Sequence, residues 1–375
     1  MAEKKQPIDT HVRLEVEPEI NRYFKAAIKA NASDLHLKVG HPLKLRVNED
    51  IRDTTTEPLT EEVIERLIFE IISEQQKQFF LENGTLDFAH EVGQSDRFRV
   101  NIFRQRSKIS LSARRMISKI PPLDSLHLPA AVKTLADKSY EGLILVTGPS
   151  RCGKSTTIAS MIDYINQTRS CHIITIEDPL EFTFVDKKAI VSQREVGIDV
   201  KDYTGALDSL TKQDPDVVQL GEMRNKDTLL AAIKAVETGR LVFGTLLSTN
   251  ALQTIQRIVD LFPQEERYLA RQRFANALKA IVCQSIIPGA KKDMPRVPAV
   301  EILIANPIVK NLIAEGREND INGIIRTSPS EGMQSFTESL RALVENESID
   351  LKIALQYAPS AEELKMALKG IMARA

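Results

Sequence analysis

No run of residues in this 375-residue chain approaches the ~20 apolar residues that a membrane-spanning helix needs. The opening stretch MAEKKQPIDTHVRLEVEPE lacks the apolar core of a secretory signal. Both absences lead to the expectation of a cytoplasmic protein with no direct membrane span, whose contact with a membrane would be indirect. Cysteine is scarce: Cys152, Cys171 and Cys283 are odd in number and scattered, which excludes a disulfide framework and a zinc site. Neither sign of charge dominates, because 50 basic residues stand against 51 acidic ones for a net charge of -1. That balance argues against a general nucleic-acid binder and favours protein partners. No repeat at a period of about 20–50 residues and no low-complexity tract stands out.

What is present is organised around Glu141–Thr157, EGLILVTGPSRCGKSTT. Leu143–Val146 is a short unbroken apolar run suited to a strand buried on both faces. It leads into Gly148-Pro149-Ser150-Arg151-Cys152-Gly153-Lys154-Ser155, the G-x-x-x-x-G-K-S phosphate loop, followed by Thr156 and by Ile158, Met161, Ile162 and Ile165 at helical spacing. A loop between a strand and a helix is the setting in which backbone N–H groups and a helix N-terminus cradle phosphates. There Lys154 reaches the outer phosphates and Ser155 ligates Mg²⁺. The chain is therefore expected to bind a nucleoside triphosphate.

The rest of the chain reads as about two domains. Residues 1–17 are polar and form an N-terminal arm. Residues 18–118 carry a short helix, alternating strands, a helix capped by Thr60 and a hairpin turning near Ser107, which together make a small α+β unit. Residues 119–135, with Pro121-Pro122 and Pro129, are the expected linker. Residues 136–375 alternate apolar runs at 143–146, 173–176, 217–220 and 241–246 with helical stretches, the pattern of an α/β core built on a parallel sheet, and turn helical after residue 304.

A phosphate loop needs carboxylates to hold the metal and to orient water. Glu222 ends the buried run from Val217, and Glu177, Asp178 and Glu181 crowd the end of another strand, where like charges disfavour ionisation unless a cation is near. Between Arg97 and Lys119 eight basic residues occur with no acidic one. A solvated hairpin face, a nucleic-acid patch and guanidinium groups offered to phosphates across a subunit boundary all remain open as readings. Cys152, beside a helix N-terminus, is either a tolerated small residue or a thiol of lowered pKa that senses oxidants.

Taken together, Ala32–Leu37, Arg97–Asn101, the phosphate loop, Thr175–Glu181, Ser192–Gly197, Asp214–Val218, Gly221–Arg224 and Glu237–Leu246 resemble, in order, the boxes of the type IV pilus retraction ATPases. The likeness spans roughly residues 19–370. It implies a RecA-like P-loop NTPase core, a smaller PAS-like N-terminal domain and a homohexamer, or a ring mixed with a paralogous motor, holding ATP and Mg²⁺ between subunits. It further implies a platform protein of the inner membrane as partner. By position, Glu181 would activate water and Glu222 would join Ser155 at the metal, while Arg99, Arg106 and Arg114 would be the γ-phosphate arginines. Several segments, among them Phe103–Arg106 and Gln193–Asp199, look nearer to the accessory branch of the family.

Three departures stand out. Arg240 and Leu247 replace two histidines of the family box around Leu241–Leu246; Arg240 keeps the capacity to meet a phosphate or a carboxylate, and the Leu247 side chain can do neither. Arg151 stands where the family usually has glycine, which costs about 1 kcal/mol or more if that position needs φ > 0. The alternative to a motor is then an ATP-binding accessory or regulatory paralogue with little turnover of its own.

Overall fold

In the computed structural model, residues 17–47, 50–93, 96–116, 120–197, 199–291 and 294–370 are described. The expected arm lies outside them apart from Glu17, as does the expected domain end near Ser118. The chain divides into two compact units, Met1–Ser118 and Lys119–Ala375.

In the first unit α1 (Asn21–Lys29) precedes β1 (Asp34–Lys38), β2 (Lys44–Val47) and β3 (Asp50–Asp53). Then come α2 (Glu61–Phe69), α3 (Glu74–Asn83), β4 (Thr85–Val92), β5 (Asp96–Gln105) and β6 (Lys108–Met116). Thr60 caps α2 by accepting the Val63 N–H at 3.4 Å, and Ser73 and Gln76 form a reciprocal capping box on α3. The strands make one antiparallel sheet in the order β3-β2-β1-β6-β5-β4. Period-two alternation decides its faces: Phe98, Val100 and Ile102 are fully buried, whereas Arg99 on the same strand is exposed. Gln105 pairs with Lys108, so Arg106 and Ser107, both at positive φ, form the two-residue turn of the hairpin.

The second unit opens with a correction. Residues 120–135 of the expected 119–135 linker are not a linker: Leu123, in a 3-10 turn, and Val132 and Leu135 of α4 (Ala130–Lys138) are buried in one of this unit's cores. The prolines stop regular structure without keeping the leucines out of the core. After α4 come β7 (Gly142–Thr147), α5 (Lys154–Thr168), β8 (His172–Glu177), β9 (Ile190–Glu195) and α6 (Tyr203–Leu210). Next are β10 (Val217–Glu222), α7 (Lys226–Glu237), β11 (Leu241–Leu246), α8 (Ala251–Asp260) and α9 (Arg267–Ala277). The long strands β12 (Leu278–Lys291) and β13 (Met294–Ile304) lead to α10 (Pro307–Glu315), α11 (Ile321–Thr327), α12 (Phe336–Glu345), α13 (Leu351–Tyr357) and α14 (Ala361–Leu368).

The sheet order is β13-β12-β7-β11-β10-β8-β9, parallel throughout except that β13 runs antiparallel to β12. Every residue of β7 is buried, as a strand covered on both faces requires. One core joins α6 to α10 to the sheet, a second joins α4 and α5 to its other face, and a third packs β12 and β13 against α12, α13 and α14. Among the described residues, no helix is long and apolar enough to cross a membrane.

Candidate nucleotide site

Parallel strands bring all their carboxyl ends to one edge of the sheet, where open α/β folds hold ligands. At that edge β7 runs out at Thr147 and the loop 148–153 delivers the chain to α5. Gly148 has φ +147°, and a Cβ built there would come within 2.2 Å of the Gln284 carbonyl oxygen and 2.5 Å of Cys152 Sγ. Gly153 has φ +86° as the residue preceding α5. Gly148 is required by close approach of backbone and Gly153 by its positive φ, the usual reasons for glycine in a loop that cradles phosphate. Arg151 sits at φ +66° and is exposed, so the position does need the left-handed region, and the side chain carries the strain that glycine would avoid. Pro149 and Ser150 are exposed on the loop, and Ser155 and Thr156 lie half-buried in the first turn of α5. Lys154 Nζ donates to the carbonyls of Gly148 and Pro149 at 3.0 and 2.9 Å, which stretches it back along the loop.

The carboxylates reach the same edge on strands further along. Glu222 ends β10, half-buried, and accepts Arg224 Nε at 2.8 Å. Glu177 ends β8, with Asp178 and Glu181 exposed beyond it. Burial pushes the Glu177 carboxyl up to about 7, and the neighbouring Glu181 and Glu195 add to the effect. Its Oε1 has no hydrogen-bond partner among the described residues. A buried, orphaned carboxylate oxygen, the Glu222 carboxylate and the Ser155 hydroxyl are all hard oxygen donors, a set that suits Mg²⁺ with triphosphate oxygens. Tyr203, whose hydroxyl packs 2.3 Å from where a Cβ on Gly221 would lie, is raised to about 12 by burial and by Asp178 and Glu177. Neither Tyr203 nor Arg224 was singled out from the sequence as a site residue.

Glu177 also makes stability depend on pH. Its folded value of about 7 lies above the ordinary 4.5, so between these pH values the folded chain binds more protons and stability falls as pH rises. The full penalty, on the order of 3 kcal/mol, is present above pH 7 and absent below 4.5. Glu177→Gln is expected to flatten this slope, measured as urea unfolding at pH 5 and pH 8; the same slope in both proteins would assign the titration elsewhere.

The candidate arginines are only partly brought together. Arg99 on β5 and Arg114 on β6 are directly paired across the sheet, both exposed, whereas Arg106 lies at the hairpin turn, seven residues along β5, roughly 23 Å away at strand rise. The basic stretch is also less naked than its sequence implies. Asp34 binds Arg114 at 2.8 Å, Asp96 binds Arg115 at 2.9 Å, Glu61 lies 3.6 Å from Lys108 and Asp87 lies 3.9 Å from Arg99. Carboxylates from the strand's own start and from neighbouring elements supply what residues 97–119 lack.

One expectation needs correction, and the open alternative at Cys152 is decided. Arg240 precedes β11, so strand polarity puts it at the opposite edge from the phosphate loop, roughly 20 Å away along six residues. There its Nε donates to the Pro215 carbonyl at 3.1 Å and its Nη1 to the Thr238 carbonyl at 3.0 Å, a structural role in place of the catalytic one expected. Cys152 is buried and its thiol is raised, mainly by burial, against the lowering effect of Lys154, so it does not have the low pKa of a sensor thiol. Leu247, by contrast, follows β11 at the loop's own edge, where Leu246 pairs with Thr147.

Comparison with known proteins is consistent with this geometry. The family described as "Type II/IV secretion system protein" matches residues 10–347. The type IV pilus retraction ATPase PilT of Pseudomonas aeruginosa is 40% identical over 92% of this chain and 99% of its own length. The type IV pilus ATPase PilU of the same organism is 34% identical over 94% of this chain and 91% of its own. Over the whole chain the identity to PilT thus exceeds that to PilU, whatever a few segments suggest. A crystal structure of the retraction motor PilT with bound ADP superposes with a TM-score of 0.86 at 40% identity, covering 93% of this chain and 99% of that one.

Proposed function

From the premise that the chain belongs to the type II/IV secretion system protein family, and within it to the pilus retraction ATPases, we propose that it is a Mg²⁺-dependent ATPase acting as a ring of six that drives pilus retraction and twitching motility. The observation that carries this reading is the shared edge: a glycine-constrained phosphate loop ahead of α5, with Glu177 and Glu222 ending parallel strands of the same sheet and Glu181 four residues beyond Glu177. Backbone N–H groups among residues 150–156 bind the phosphates of ATP, and Lys154 leaves the loop carbonyls to pair with the outer ones. Ser155 and Glu222 hold Mg²⁺, which when bound offsets charge on the phosphate oxygens. Glu181 orients and deprotonates the attacking water. Arg99 and Arg114 of an adjacent copy meet the γ-phosphate, with Arg106 too far along the hairpin to act beside them. Net work is passed to a platform protein of the inner membrane, from the cytoplasmic side.

A second reading, an ATP-binding subunit of little turnover that joins a paralogous motor's ring, is favoured by Leu247 at the loop and by the strain at Arg151. Steady-state ATP hydrolysis by the purified protein, with Mg²⁺ and with the metal chelated, separates the two when light scattering reports the ring. Metal-dependent turnover by a hexamer is expected. A hexamer that binds ATP and does not hydrolyse it would leave the second reading.

A further inference from the structure

Strand β12 carries one polar side chain aimed at the phosphate loop. Gln284 is 4% exposed and lies one residue past Cys283, the partner of Thr147 at the end of β7. Its Nε2 donates to the Cys152 carbonyl at 2.6 Å, and its Oε1 accepts the Thr157 hydroxyl of α5 at 2.8 Å. The orientation of the amide is forced: a carbonyl only accepts, so the nitrogen must face Cys152 and the oxygen must face Thr157. The backbone of Gln284 closes on Gly148, and its side chain on Gly153, where built Cβ atoms would come to 2.2 Å from the carbonyl oxygen and 2.9 Å from Nε2.

We propose that Gln284 is a positioning residue for the phosphate site, which sets the direction of the Gly153 N–H. In a planar trans peptide the C=O and N–H point opposite ways. Holding the Cys152 carbonyl outward, against β12, turns the N–H of Gly153 inward to the concavity where phosphate is bound. Thr157 keeps the amide from rotating, so the hold is two-sided. No phosphate contact by Gln284 itself is involved. The inference rests on the nucleotide-binding reading above and adds the residue that prepares the loop for it.

The test uses the full-length ring, with ADP binding measured by calorimetry and ATP turnover measured alongside. Gln284→Met keeps the volume and removes both hydrogen bonds; Thr157→Val removes only the lock on the amide. ADP affinity is expected to weaken about ten- to a hundredfold in Gln284→Met and about fivefold in Thr157→Val. The KM for ATP rises in step, while kcat at saturation stays within about threefold, because the donor is needed equally in ground and transition states. Affinity within about twofold of the parent in either folded variant overturns the proposal, as does a fall in kcat at unchanged KM, the mark of a loss of folded enzyme. If Gln284→Met does not fold, Thr157→Val decides alone. A parent protein that fails to bind ADP overturns the nucleotide reading itself, and this inference with it.

Discussion

Glu181→Gln is expected to abolish turnover while leaving nucleotide binding intact. A glutamine matches the volume and keeps hydrogen-bonding capacity but cannot take a proton from water, so kcat should fall by about 10²–10⁴-fold. Glu181 is exposed beyond the end of β8, and its side chain holds no hydrogen bond among the described residues. Local structure is therefore preserved, and ADP affinity should remain within about twofold of the parent. Single-turnover measurement on the variant ring reads chemistry apart from release. Unchanged turnover would move the role of general base to Glu177, whose pKa of about 7 suits it, and Glu177→Gln would then carry the loss.

Lys154→Ala is expected to fail one step earlier, at binding. The ammonium reaches two loop carbonyls, Gly148 and Pro149, and so lies over the loop it serves. A charge-assisted bond to phosphate contributes roughly 1.5–3 kcal/mol, and its loss leaves the developing phosphate charge uncompensated as well. ATP affinity should fall at least about tenfold and kcat by about 10²-fold or more. The rise in melting temperature that ADP gives the parent should vanish in the variant at the same ADP concentration. A variant that keeps the full rise would show that the N–H groups of the loop bind phosphate without the lysine.

The contrast between these residues and others shows what the sequence could disclose. Leu143–Val146 and Val217–Leu220 were legible because a strand covered on both faces needs an unbroken apolar run, and the glycines of the loop because a phosphate site needs them at that spacing. Strand β12 was not. It follows α9 with Ala277 and Leu278 adjacent and neither glycine nor proline at the join, so nothing local marks the change of period. Strand β9, IVSQRE, is an edge strand with one apolar end, too polar to read as part of a buried sheet. Arg240 was read from its place in a family box, although its position just before a parallel strand already put it at the wrong edge. Gln284 acts across 132 residues of sequence, and its only mark is a lone amide within the apolar stretch Ile281–Ile287. Residues 119–135 show the reverse error, since proline dictated the reading where leucine burial dictated the packing.

The order of strands also has a consequence for synthesis on the ribosome. Strand β7 emerges early, yet its two neighbours in the sheet are β11 and β12, which leave the exit tunnel about a hundred residues or more behind it. Until then the strand has no partner, and the loop that follows it has neither the Gln284 carbonyl beside Gly148 nor the amide that holds Cys152. A nascent chain therefore carries its phosphate-binding segment unformed while the residues from the loop to Gln284 are synthesised, with an apolar strand exposed and pairing delayed by long loop closure. A chain released after Ser155 and before residue 284 would contain the whole G-x-x-x-x-G-K-S signature and still lack the amide and carbonyl that shape it.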